Sequence, residues 1–469
     1  MPQVGGSELQ GAEQSKLRLV PSVYSIITRH TDTMMQKEGS RVAEHVESTL
    51  LRMHFCRTAD LGKRVYQCSD CQEELTIYNS CGDRHCPQCS GARRRNWLEN
   101  TLKLTDCHST YFQVVFTLPG KLSSLALGNR KEIYNLLFDT AWDSLRERIE
   151  KELGIQAAGV GVLHTWNQRL GHHPHVHFMV PGSGVSLDGT RWIPTRLEWN
   201  RQSKKRAPFF VDNKRLGQLF RTLFLSRLRQ MVEQGKIKID ESGYIADLLS
   251  ELGDQDWVVF VEGPPDPECT PATMLKYLTK YLTGGPISDK RIVGEEGGRI
   301  YFKARSEHKG GGQVTASLPA LEFVRRWSLH ILPKDFTKTR FYGAWSYTKR
   351  LQYKELYARL RPWNDEPRSD DSKESVKTGE KELEKARCCA KCGKEMSCIR
   401  QVDRPKWRDL FYGPSHPHWY EYTSKGQNSP SMVYPEQLVS EEDDQEFETY
   451  RALQALEWEV TMGLSEAEQ

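Results

Sequence analysis

Apolar and polar positions along this chain change period several times, and each change marks a predicted element. Residues 1–18 carry Gly, Gln, Ser and Glu without periodicity and predict a disordered N-terminus. From Val20 to about Met53 the period is helical, with Val42, Val46, Leu50 and Leu51 on one face. A β-rich stretch opens at Tyr-Phe-Gln-Val-Val-Phe-Thr-Leu, residues 111–118. An amphipathic helix follows at 130–153, directing Leu136, Leu137, Trp142 and Leu145 inward. Strands at 156–166 and 174–180, joined around Gly171, read as an antiparallel hairpin. A charged loop (183–212), a helix (213–234) and a strand (256–262) come next. A short helix at 274–282 opens after Thr270-Pro271 and closes at Gly284-Gly285-Pro286. A basic strand at 299–305 and a helix at 318–331 complete the pattern, which predicts an α+β fold with an antiparallel sheet and helices on one face.

Composition adds exclusions. No apolar run approaches the roughly 20 residues of a membrane span, and the first twenty residues lack the apolar core of a signal peptide. A cytoplasmic protein is expected. Lys and Arg total 66 against 62 Asp and Glu, a net charge of +4. That near-balance hides an asymmetry, because Glu441-Glu442-Asp443-Asp444 and Glu446 make the tail acidic while the middle carries basic clusters. Arg325 and Arg326 beside Phe323 and Trp327 suit a single-strand groove, with cations for phosphates and rings for bases.

Twelve cysteines in such a chain, mostly in short-spaced pairs, argue for metal rather than disulfides. Cys68-x-x-Cys71 and Cys86-x-x-Cys89, fourteen residues apart, have the spacing of a four-cysteine zinc ribbon. Cys56, Cys81 and His85 remain, and could share a second zinc or replace one of those four ligands. Arg84, Arg93, Arg94 and Arg95 flank the site as candidate phosphate contacts. Beyond a charged linker at 363–387, Cys389 and Cys392 look like half of another ribbon, which His416 and His418 could complete.

Two further stretches carry chemistry. In His-Pro-His-Val-His-Phe (173–178), His175 and His177 alternate around Val176, so both imidazoles leave one face of a strand. That is half of a divalent-metal site. In the helix at 274–282, Tyr277 and Tyr281 are four apart and share a face. Each pair alone is common in structural roles. Together in one chain they match metal-assisted attack of tyrosine on a DNA phosphodiester.

The order of Cys-x-x-Cys, Cys-Gly-Asp-Arg-His-Cys-Pro-Gln-Cys, His-Pro-His-Val-His, Tyr-Leu-Thr-Lys-Tyr and His-Ile-Leu-Pro-Lys-Asp-Phe resembles the two-tyrosine HUH rolling-circle transposases of the insertion sequence ninety-one family. The resemblance covers roughly residues 20–400. It implies a helical and zinc-ribbon-like DNA-binding region at 19–105, an HUH nuclease domain at 106–362, and a C-terminal region at 388–469. It also implies Tyr277 and Tyr281 as nucleophiles, Lys280 as a DNA contact, and a Mg²⁺ or Mn²⁺ held by His175, His177 and a third ligand. Gln168 is favoured over His164 for that third position. Structural Zn²⁺, single-stranded DNA as substrate and a nucleoid-associated location follow from the same resemblance. No Gly-x-x-x-x-Gly-Lys-[Ser/Thr] motif is present, so strand separation is expected from host replication or helicase machinery. A plasmid replication initiator or relaxase uses the same chemistry, and a zinc-dependent DNA-binding protein without nuclease activity is the alternative of a different class.

Overall fold

The structure, a computed structural model, describes residues 20–38, 42–105, 109–200, 204–239, 242–263, 285–306, 312–360, 388–407 and 410. Its centre is a five-stranded antiparallel sheet. The strands are β3 (Tyr111–Thr117), β4 (Ala158–Trp166), β5 (His172–Pro181), β6 (Val259–Glu262) and β10 (Thr339–Gly343), in the order β6-β3-β5-β4-β10. Alternation along β5 sends Val176, Phe178 and Val180 to one face, where they join Val114 and Phe116 of β3 in the main core. Helices α4 (Arg130–Leu153) and α5 (Asn213–Glu233) cover that face with Leu137, Phe138, Leu145, Phe220 and Phe224. Phe116 meets Phe178 and Phe220 edge to face, with centroids 5.9 and 5.0 Å apart. Helix α6 (Ser242–Asp254) closes the layer through Leu248, Leu249 and Leu252. Gly161 on β4 is required there, because a Cβ would stand 2.7 Å from the Phe178 ring.

The antiparallel α+β sheet is therefore as the periodicity predicts. Helices lie on both of its faces rather than one, because Ser90–Leu102 and Arg350–Leu360 cover the side opposite α4 and α5. The first described helices, α1 (Val23–Glu38) and α2 (Glu44–His54), pack on a second core. That core is shared with distant chain: β7 (Ile292–Glu296), β8 (Arg299–Arg305) and β9 (Gln313–Pro319) form an antiparallel meander, followed by α7 (Ala320–Ser328). Val23, Ile26, Ile27 and Met34 bury against Ile300, Phe302, Phe323 and Trp327. The strand β1 (Lys63–Cys68) lies between β2 (Glu74–Tyr78) and β11 (Met396–Val402), so the C-terminal strand completes an N-terminal sheet. Helix α3 (Ser90–Leu102) leads from this module into β3, and α8 (Arg350–Leu360) packs Tyr353 beside the far face of the central sheet. Among the described residues, no helix is long and apolar enough to cross a membrane.

Candidate active site and cysteine clusters

The face of the central sheet opposite α4 and α5 carries three histidines. In the β4–β5 ladder His164 lies directly across from His175, and His177 across from Val162. The ring centroids of His164, His175 and His177 are 4.5–5.3 Å apart, and one donor atom from each lies within 4.8 Å of the others. Gln168, expected as third ligand, is not part of this constellation. The ladder shifts between His164 and Trp166 and then turns at Asn167, whose Oδ1 accepts from the N–H groups of Arg169 and Gly171 at 3.0 and 2.7 Å. Gln168 sits exposed on that turn, with its backbone carbonyl accepting from Arg291. The cross-strand register instead sets His164, the alternative to that amide, beside His175 and His177.

Neighbouring groups set the imidazole tautomers. His175 donates its Nδ1–H to the carbonyl of His173 at 2.8 Å, which leaves Nε2 as a lone-pair donor. The Gln113 amide lies 3.0 Å from Nδ1 of His177, through its nitrogen, while its buried Oε1 has no hydrogen-bond partner. Rotating that amide by half a turn lets Oε1 accept from His177 Nδ1–H and again frees Nε2. Sequence reading missed Gln113. Its only signal was a polar residue in the otherwise apolar run of β3. Burial holds His175 well below the usual imidazole range and, with help from the Lys338 ammonium, brings His177 down to about 4. Both rings are neutral near pH 7, as metal ligation requires. Lys338 Nζ stands 5.0 Å from the Trp166 ring, and burial together with Arg84 lowers it to about 7. His173 and the preceding His172 do not join the cluster, and His172 Nε2 is 2.7 Å from the Tyr134 hydroxyl.

The cysteines assemble differently from the expected ribbon. Cys68, Cys71, Cys86 and Cys89 do not meet. Cys86 and Cys89 group with Cys56 and Cys81, whereas Cys68 and Cys71 group with Cys389 and Cys392. The physical reason is the β1–β2 hairpin, which carries the chain away after Cys71 and returns it to the end of α2 at Cys81. In the first group the sulfurs of Cys56 and Cys89, Cys81 and Cys89, and Cys86 and Cys56 are 3.5, 3.5 and 3.7 Å apart. A tetrahedron of Zn–S bonds has edges of about 3.8 Å, so the set fits one zinc ion. Hydrogen bonds from its three neighbours push the Cys89 thiol strongly down, while the same crowding pushes Cys81 and Cys86 up. A bound cation would deprotonate all four thiols at this spacing.

His85 is not a ligand of that group. Its Nδ1 pairs with Asp83 at 3.2 Å and its Nε2 accepts the Leu332 N–H at 3.1 Å. The adjacent Arg84 donates to the carbonyls of Pro333, at 2.9 Å, and Phe336. The loop between Cys81 and Cys86 therefore grips the segment leading into β10. Arg325 and Arg326 both hold Glu322 at 2.6 Å, and their hydrogen bonds keep that carboxyl near 2. Arg95 is half-buried on α3; the side chains of Arg93 and Arg94 lie outside the described residues, as do Tyr277, Lys280, Tyr281, His416 and His418.

Known proteins can be set against this geometry. A family described as "Putative transposase" matches residues 159–352, the span holding the three histidines, and one described as "Transposase zinc-binding domain" matches residues 26–118. The chain is 34% identical over 332 residues to "Putative transposase y4qJ" of Sinorhizobium fredii, covering 69% of this chain and 80% of that protein. It is 28% identical over 314 residues to "Transposase for insertion sequence element IS801" of Pseudomonas savastanoi pv. phaseolicola, covering 66% and 72%. No solved structure matches. With both regions matched and relatives aligned over most of their length, the chain belongs to the IS91 family of transposases and carries an N-terminal transposase zinc-binding domain.

Proposed function

We propose that this transposase nicks and rejoins single-stranded DNA through a 5′-phosphotyrosine, driving rolling-circle transposition, and that His164, His175 and His177 hold a divalent ion for the reaction. The observation that carries the reading is the convergence of these three imidazoles on one face of the central sheet, with one nitrogen of each within 4.8 Å of the others. The carbonyl of His173 and the amide of Gln113 fit the outer positions that orient metal-bound histidines. Bound there, Mg²⁺ or Mn²⁺ supplies positive charge that polarises the scissile phosphodiester. Imidazole donors favour Mn²⁺.

The protein's own part is nucleophilic. The hydroxyl of Tyr277 or Tyr281 attacks phosphorus and releases a 3′-hydroxyl, and the reverse attack by a DNA 3′-hydroxyl rejoins strands without ATP. Two tyrosines allow one covalent end to be held while a second strand is cut. Lys338, beside the histidine face and lowered to about 7, would take up its full charge when a phosphate binds next to it.

The test is cleavage of single-stranded oligonucleotides from the element ends, labelled on the 3′ side of the nick, with Mn²⁺, Mg²⁺ or chelator. A labelled covalent adduct that needs the metal is the expected result. Binding without any cleavage would leave a DNA-binding module. Metal-independent cleavage would remove the three histidines from the chemistry.

A further inference from the structure

Cys68, Cys71, Cys389 and Cys392 form a group that the matched zinc-binding region, residues 26–118, only half contains. The two halves have the same local conformation. Gln72, after the first pair, has φ 58°, and Gly393, after the second, has φ 74°. Gln72 N–H donates to the Cys68 carbonyl at 3.1 Å, and Gly393 N–H to the Cys389 carbonyl at 2.8 Å. Cys68 N–H donates to Glu73 O at 3.0 Å, and Cys389 N–H to Lys394 O at 2.7 Å. Each half is thus a tight knuckle that turns two sulfurs inward. A glutamine in the left-handed region is uncommon, so the turn is held by something beyond its own preference.

Across the knuckles, Cys68 and Cys392 sulfurs are 3.4 Å apart, Cys71 and Cys389 3.4 Å, and Cys71 and Cys392 3.8 Å. Those separations exceed a disulfide bond of about 2.05 Å and approximate the roughly 3.8 Å edge of a zinc tetrathiolate. Besides the β1–β11 ladder and the Arg404 hydrogen bond to the Cys81 carbonyl, side-chain packing around this corner is thin. Its apolar cluster contains only Cys68, Cys389 and Met396 as buried members, while Leu75, Ile77, Ile399 and Val402 of the same sheet are exposed. An Asp70–Lys394 ion pair at the surface adds a weak link.

We propose that these four cysteines bind a second structural zinc ion, which clasps residues 388–402 onto the N-terminal sheet. The cross-link joins positions 318 residues apart, Cys71 and Cys389, and so closes a loop containing all the described strands of the nuclease sheet. The C-terminal strand then belongs to the zinc module, and the module is complete only after the chain has been made through residue 402. An all-thiolate set selects zinc over Mg²⁺ or Mn²⁺.

Native mass spectrometry of the full chain tests the stoichiometry. Two zinc ions per chain are expected, falling to one in a C389S/C392S double variant. One ion in the wild type, or two in the variant, overturns the proposal. Because that variant could lose its fold, labelling of the wild type gives an independent decision. Iodoacetamide should modify Cys389 and Cys392 at least tenfold faster after chelation than with zinc bound, in step with Cys68 and Cys71. Cys398, exposed and outside the group, should react in both states. Equal rates at Cys389 and Cys392 with and without zinc would show that the C-terminal pair holds no metal.

Discussion

His164 on β4 and His175 on β5 face each other across the antiparallel ladder, with rings edge to face and centroids 5.3 Å apart. This pairing, with His177 two residues along the same strand, gathers one nitrogen from each of three histidines within 4.8 Å.

The third ligand is therefore testable by substitution. His164→Ala should weaken Mn²⁺ binding by more than the roughly 10–100-fold that losing an outer-sphere partner costs, and cleavage should fall with it. Gln168→Ala, on the exposed turn, should leave both within about twofold. Calorimetric titration with Mn²⁺ decides; the opposite ranking would restore the amide as ligand.

Gln113 acts one step further out. Gln113→Leu keeps the volume but removes the acceptor for His177 Nδ1–H. Metal affinity should drop by roughly 10–100-fold, with activity recovered at high Mn²⁺. A variant whose cleavage stays low at saturating Mn²⁺ would assign Gln113 to the fold instead.

Arg84 is expected to serve structure more than phosphate. Arg84→Ala removes the guanidinium from the Pro333 and Phe336 carbonyls, at a cost of about 1.5–3 kcal/mol per charged hydrogen bond. Thermal unfolding should shift down while the slope of log Kd for single-stranded DNA against log salt stays constant. A slope reduced by about 0.7 would mean a lost phosphate contact.

Acid should destabilise the protein through His330. This buried ring lies between Thr165 Oγ1 at 3.1 Å and the Leu170 carbonyl at 3.2 Å, and burial holds it down to about 3. Its unfolded-state pKa is about 6.5, so as pH falls below that value only the unfolded chain gains the proton. The folded state then loses about 1.4 kcal/mol per pH unit for this group until pH approaches 3. Urea midpoints measured between pH 7 and 5 should fall, and less steeply in His330→Gln. Identical slopes would mean that the ring is accessible to protons in the native state.

The tyrosines can be separated by covalent capture of labelled DNA. On a helix Tyr277 and Tyr281 would lie about 6 Å apart along the axis, so they cannot meet one phosphate identically. Tyr277→Phe and Tyr281→Phe should each retain unequal adduct formation, and the double variant none. An adduct in the double variant places the nucleophile elsewhere.

Local patterns carried much of this protein. Period-two alternation and β-branched or aromatic runs identified β3, β4 and β5, because strand burial is written in neighbouring residues. The His-x-His and Cys-x-x-Cys pairs were legible for the same reason: two ligands on one strand or knuckle are fixed by local geometry. What the sequence alone could not determine was how such pairs combine. Cys68 and Cys71 find Cys389 and Cys392, not the nearby Cys86 and Cys89, because β11 returns to pair with β1. His164 rather than Gln168 lies beside His175 and His177 because a ladder shift and an Asn167 turn set the register of the hairpin. Arg84 and His85 turn from expected phosphate and zinc contacts into links to residues 332–336. Residue types and short spacings determined which groups could bind metal or attack phosphate. Only the tertiary structure decided their partners, since ligand sets close through strand register and chain return between positions hundreds of residues apart, where local spacing carries no information.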